Sequence, residues 1–158
     1  MKIVTDADVL FRAILSKNSR TASRFVFDMI IESRVQAYTC DVLLGEIFRI
    51  VEEDPKLKKA SKVYFQEFIG RVQTSLTHIP MKELEHDQKM LNEIGNDWYL
   101  IAVAKSISAN YIVTYDRHLH SKKTELFEEN GIRVSDSEEF ERDFKSAGLH
   151  KNMEGAGG

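Results

Sequence analysis

The stretch NDWYLIAVAKSISANYIVTYD, Asn96 to Asp116, decides how this chain folds. Leu100, Ile101, Ala104 and Ile107 recur at the spacing of a helix with one buried stripe, with Asn96 placed to cap it and Asp97 as its first helical residue. At Tyr111 the pattern changes to YIVT, a β-branched and aromatic run that reads as a buried strand stopped at Asp116. A helix running into a buried strand is the building unit of an α/β domain.

The flanking sequence repeats that alternation. Towards the N-terminus, KIVT (Lys2–Thr5) reads as a strand ending in a polar turn at Asp6-Ala7-Asp8. Ser19 is a candidate N-cap for a helix carrying Ala22, Phe25, Val26, Met29 and Ile30, and VQAYTC (35–40) follows as a strand. Asp41 is read as the cap of a helix with Leu43, Ile47, Ile50 and Val51 on one face, which puts Glu46 in its second turn. Asp54-Pro55 looks like a cap and first helical position opening a long amphipathic helix through Leu57, Tyr64, Phe65, Phe68, Ile69, Val72 and Leu76. Pro80 ends the link that follows, and Leu84, Gln88 and Leu91 support a short helix that Gly95 stops. Beyond Asp116, Asn130-Gly131 turns into a strand at 132–134, and Asp136 with Glu139 forms a capping box for a last helix. This alternation predicts an α/β domain over residues 1–147 around a mainly parallel sheet of 4–5 strands, with 148–158 as a flexible tail lacking apolar periodicity.

Composition narrows the classes of function. At 158 residues, 42% apolar and 30% charged, the chain is sized for one domain with a substantial core. No stretch approaches the roughly 18 to 20 apolar residues of a membrane span, and MKIVTDADV is too soon charged for a secretory signal. Cys40 is the single cysteine, without the neighbours of a structural zinc site, so a reducing cytoplasmic setting is expected. A net charge of −3, from 25 acids and 22 bases, argues against nucleic-acid binding through a globally positive surface. It leaves room for an acidic centre where metal ions supply the positive charge.

Asp6, Asp8, Glu46, Asp97 and Asp116 stand apart from the other acids, because each is embedded in an apolar segment or caps one. Singly, an Asp at a strand end or helix start is an ordinary turn former or cap. Glu46, beside Ile47, lies too close to a buried stripe to be plainly solvated. Several carboxylates converging from separate segments would suit Mg²⁺ or Mn²⁺, which prefer hard oxygen ligands.

The ordered set VTDADVL, LLGEIFRIV, NDWYLIAVAKSISANYIVTYDRHL and NGIRVSDSEEF resembles the PIN domain family across residues 2 to 144. The resemblance implies a three-layer α/β/α fold and a metal-dependent ribonuclease, a family that includes many toxins of toxin–antitoxin pairs. It implies Asp6, Glu46, Asp97 and Asp116 as a metal-binding quartet for Mg²⁺ or Mn²⁺, with Asp8, where the family has Asn, as a possible fifth ligand. Thr5 and Thr114 would orient carboxylates or water. Tyr115 stands where the family's Thr-x-Asp segment usually carries glycine. By the same resemblance, a protein antitoxin and a second copy of the chain are expected partners beside RNA, with hydrolysis by metal-activated water.

Arg12 after the first acid, and Arg117, His118, Lys122 and Lys123 after the last, are candidates to meet RNA phosphates. His118-x-His120 lacks a third imidazole or thiolate and is assigned no metal. Trp98 is read as core in preference to a base-stacking surface. Two other functions are weighed. Asp6-x-Asp8 also resembles the first motif of haloacid-dehalogenase phosphatases, but Val9-Leu10 and the single acid after Tyr115 depart from that pattern. A catalytically silent PIN fold that binds RNA or docks a protein is disfavoured by retention of all four acids.

Overall fold

In a computed structural model, which describes residues 1–16, 20–55 and 62–156, the elements follow the predicted alternation with several corrections. The strands are β1 (Lys2–Thr5), β2 (Gln36–Thr39), β3 (Leu76–His78), β4 (Tyr111–Val113) and β5 (Arg133–Ser135). The helices are α1 (Ala7–Leu15), α2 (Ala22–Ile31), α3 (Asp41–Glu53), α4 (Lys62–Ser75), α5 (Gln88–Ile94), α6 (Trp98–Ile107), α7 (Arg117–Ser121), α8 (Lys123–Asn130) and α9 (Ser137–Ala156). Among the described residues, no helix is long and apolar enough to cross a membrane.

All strand pairs are parallel, in the order β3-β2-β1-β4-β5. The register explains why the strands read as continuous apolar runs. Val4, Ile112 and Val134 form one row across three strands, and all three belong to a core with Trp98, Leu100, Ile101 and Leu119 from α6 and α7. Ile3 pairs with Ala37 and Tyr111, and Ala37 with Leu76, on the opposite face, where Val9, Val26, Phe68 and Phe140 cover them. Alternate residues of each strand are therefore buried under different helical layers, as a sheet covered on both faces requires. This is the three-layer α/β/α fold. Tyr111 meets Phe140 edge-on at 5.2 Å between ring centroids, tying α9 to β4, and Phe27 stacks on Phe68 at 5.4 Å, tying α4 to α2.

The sequence reading needs correction where local and tertiary signals compete. Asp6-Ala7-Asp8 does not stay a turn: α1 starts at once, its Val9, Leu10, Ala13 and Ile14 being covered by α2 and the sheet. The cap of α2 is Thr21, whose hydroxyl accepts from the Arg24 N–H at 3.3 Å, while the candidate cap Ser19 lies outside the described residues. Asp41 is the first residue of α3, with Cys40 as the cap. The long helix ends at Ser75, because Leu76 pairs with Ala37 as edge strand β3; Leu57, and the cap interaction read at Asp54-Pro55, fall at or beyond the edge of the described segment. Asp97 is the cap of α6, one position later than read, with a short 3-10 turn at Gly95–Asp97 before it. The capping box is present, with the Glu139 N–H donating to Asp136 Oδ1 at 2.8 Å and the Asp136 N–H to Glu139 Oε1 at 3.3 Å. From it α9 runs to Ala156, into the segment from 148 read as tail.

Candidate active site

The chain leaves β1 to build β2 and β3 on one side and returns to the other side as β4 and β5, so the connections diverge between β1 and β4. Ligands of open parallel sheets bind beyond the carboxyl ends of strands at such a point. Asp6 follows β1 directly, and its N–H donates to the Val113 carbonyl of β4 at 3.0 Å. Thr114, fully buried after β4, joins the two strand ends: its hydroxyl donates to Asp6 Oδ2 at 2.9 Å and accepts from the Asp116 N–H at 3.0 Å. Asp116 then caps α7 by accepting from the Leu119 N–H at 3.0 Å. The ring of His120 donates from Nε2 to the Thr114 carbonyl at 2.7 Å, closing this corner from below.

The third acid enters from α6. Asp97 is half-buried and shares a side-chain hydrogen bond with Asp116. Burial, then the charges of Asp6 and Asp116, the bond to Asp116 and finally the charge of Glu46 push its carboxyl up to about 7. Asp97 thus senses all three other members of the proposed quartet. Asp6 is also raised, mainly by burial, against the opposing bonds from Thr114 and the Ala7 N–H. Glu46 shifts the other way, because Arg49 Nη2 donates to Oε2 at 2.8 Å and Asn96 Nδ2 to Oε1 at 3.3 Å.

A PIN domain family model matches residues 2–118, which span β1 to the first turn of α7 and include all four acids. The chain belongs to the PIN domain family. No curated protein matches the sequence. The PIN fold sets aside the phosphatase reading of Asp6 and Asp8, and it implies a nuclease-type architecture.

The donor set of this PIN domain suits a hard divalent ion: Asp6, Asp97 and Asp116 offer carboxylate oxygens whose mutual repulsion a cation would relieve. Among the described residues, however, no three His, Cys, Asp or Glu side chains close around one point as they stand. Asp97 and Asp116 are hydrogen-bonded to each other, while Asp6 and Glu46 reach Asp97 through their charge. The reason is visible in their partners, with Glu46 turned to Arg49 and Asn96 and one oxygen of Asp116 occupied by the α7 N–H. Thr114 and the Ala7 N–H set the orientation of Asp6, and Asn96 ties Glu46 to the turn that carries Asp97.

The remaining candidates divide. Asp8 is exposed and paired with Arg12 at 2.9 Å, one turn along α1, so it contributes charge near Asp6 while its own carboxylate is engaged. Thr5 is buried and donates to the Asp6 carbonyl at 3.3 Å, where it touches backbone and no carboxylate. Arg117, His118 and Lys123 are exposed, whereas Lys122 is half-buried against Glu93 at 3.4 Å. Trp98 is 2% exposed and donates to the Glu85 carbonyl at 3.3 Å, as a core residue would. Sequence reading passed over Arg49, although an Arg three residues after a helical Glu signals a pair, and took Asn96 only as a cap.

Proposed function

We propose that this PIN domain is a divalent-metal-dependent ribonuclease that hydrolyses RNA phosphodiester bonds. The observation that carries the reading is the position of Asp97, a half-buried acid driven up to about 7 by burial and by three other carboxylates at the switch point of the sheet. Such a concentration of charge costs stability unless a cation or proton offsets it. Asp6, Asp97 and Asp116 would hold Mg²⁺ or Mn²⁺, with Glu46 joining once it leaves Arg49. The chemistry a bound divalent ion supplies is activation of water for attack at phosphorus and neutralisation of charge on the leaving oxygen. The protein's own part is orientation: Thr114 aligns Asp6 and the Asp116 backbone, and Asn96 keeps Glu46 beside Asp97.

The test is cleavage of a mixed cellular RNA pool by purified protein in Mn²⁺, beside an EDTA control and the Asp6→Asn and Asp97→Asn variants. Cutting that needs the metal and disappears in both variants supports the reading. Cutting that survives EDTA, or that Asp97→Asn leaves unchanged, overturns it.

A further inference from the structure

Tyr115, between Thr114 and Asp116 in the chain, carries the side chain of Arg12 on its ring. The Arg12 guanidinium lies 3.9 Å from the centroid of the Tyr115 ring, within cation–π range. Its Nε donates to Asp8 Oδ2 at 2.9 Å, which fixes one edge of the plane. The ring is itself anchored: the Tyr115 hydroxyl donates to Glu138 Oε2 at 2.7 Å and lies 3.5 Å from Ser23 Oγ, which is bonded at 3.0 Å to the fully buried Ser137 hydroxyl. Side chains from α2 and α9 thus fix the Tyr115 ring, and that ring and Asp8 of α1 hold Arg12. That arginine is 54% exposed at its side chain, more than its core-facing neighbours Phe11 and Ala13 on the same helix.

We infer that Tyr115 is a positioning residue that presents the outer edge of Arg12 to a backbone phosphate of a single-stranded RNA lying across the acidic centre. The inference rests on the ribonuclease reading above and adds the strand's anchoring point. A site made of carboxylates repels a polyanion, so affinity has to come from fixed cations at its rim. A guanidinium held on one face by a ring and along one edge by a carboxylate has a fixed plane, and its two terminal nitrogens form the planar fork that matches phosphate oxygens. Holding it beforehand also lowers the entropy lost on binding, a cost a free arginine would meet in full. Glycine at position 115 would leave no ring under Arg12.

The experiment measures equilibrium binding of a fluorescein-labelled single-stranded oligoribonucleotide by anisotropy, in Mg²⁺ buffer across a KCl series. All variants carry Asp97→Asn, which holds cleavage down. Arg12→Ala is expected to raise Kd about tenfold and to reduce the salt slope by about one. Arg12→Lys restores only part of the affinity, because an ammonium lacks the stacking plane. Tyr115→Ala weakens binding nearly as much as Arg12→Ala, and Tyr115→Phe, which keeps the ring but loses its tether, weakens it less. Adding Asp8→Asn to Arg12→Ala separates loss of a contact from exposure of Asp8, and the loss persists in the double variant if Arg12 meets phosphate. Absence of binding by the parent, a Kd for Arg12→Ala within about twofold of the parent with an unchanged salt slope, or full recovery in the double variant overturns the inference. Metal-dependent cleavage by the wild-type chain is scored separately, so a ribonuclease that binds RNA without Arg12 and a protein that is no ribonuclease give different results.

Discussion

The Thr114 hydroxyl donates to Asp6 Oδ2 at 2.9 Å and accepts from the Asp116 N–H at 3.0 Å, so one fully buried side chain orients two of the acids at the switch point. The two acids are 110 residues apart in sequence and are linked through neighbouring strands β1 and β4. Thr114→Val keeps the shape and removes both bonds. It leaves the half-buried Asp6 carboxylate with the Ala7 N–H but without its hydroxyl donor, and the Asp116 N–H without its acceptor, at a cost of about 2 kcal/mol, or a fall of roughly 4 to 8 °C in Tm for a chain of this size. Metal-dependent cleavage is expected to drop between about tenfold and a hundredfold, the usual cost of losing a group that orients a metal ligand. Thr114→Ser keeps both bonds and is expected to stay near wild type on both measurements.

Asp97 makes metal-free stability depend on pH. Its carboxyl is at 3.8 in the reference state and about 7 in the fold, so the native chain holds the proton to higher pH than the unfolded chain. Below about pH 4 both states carry the proton and the fold suffers no penalty. As pH rises towards 7, unfolding releases that proton, and stability falls until both states are ionised. Thermal melts in EDTA between pH 5 and pH 8 should therefore show Tm declining in the wild type and declining less in Asp97→Asn. Equal slopes in the two proteins would show that the carboxylate is not crowded as described.

Divalent ions are expected to reverse that loss. Proton and cation compete for the same carboxylates, so addition of Mn²⁺ should raise Tm more at pH 8 than at pH 5.5. The increment should shrink in Asp97→Asn. A rise that does not depend on pH would place the bound ion elsewhere.

Arg49 holds Glu46 through Nη2 at 2.8 Å and Glu53 through Nη1 at 2.9 Å. Glu46 would have to exchange Arg49 for an ion in order to act as a ligand. Arg49→Ala is therefore expected to tighten Mn²⁺ binding several-fold in calorimetric titration, and Glu46→Gln to weaken it. If removal of Arg49 weakens binding, the pair supports the site and does not compete with it.

The capping box of α9 offers a test away from the chemistry. Asp136→Ala removes the acceptor of the Glu139 N–H at 2.8 Å and should cost about 1 kcal/mol, a fall of roughly 2 to 4 °C in Tm. Glu139→Ala removes the longer partner bond, at 3.3 Å, and should cost less. Metal-dependent cleavage by Asp136→Ala, measured well below its Tm, tests whether this cap lies outside the machinery.

Much of this architecture was legible in the chain, because burial on two faces leaves a plain mark. In KIVT, QAYT and YIVT adjacent apolar residues, Ile3-Val4, Ala37-Tyr38 and Tyr111-Ile112-Val113, meet helical layers on opposite faces, and that pattern needs no long-range information. Asp136 and Glu139 were readable as a box for the same reason, since a cap interaction spans three residues. Asp6, Asp97 and Asp116 were distinguishable as acids bordering apolar segments.

Tertiary structure decided the rest. Leu76 has the spacing of a helix residue and becomes strand β3 because the edge of β2 is available to pair with it. The turn expected at Asp6 becomes α1 because α2 and the sheet bury its apolar stripe, an outcome that local propensity does not contain. The partners of the acids were likewise hidden: Thr114 reaches Asp6, Asn96 reaches Glu46 and Tyr115 reaches Glu138 across long stretches of chain. A sequence records which side chains can donate, accept or carry charge. The neighbour each one finds is settled only when the layers pack, and the carboxyl of Asp97 is raised first by burial and then by Asp6 and Asp116, which the adjacent strands β1 and β4 bring together.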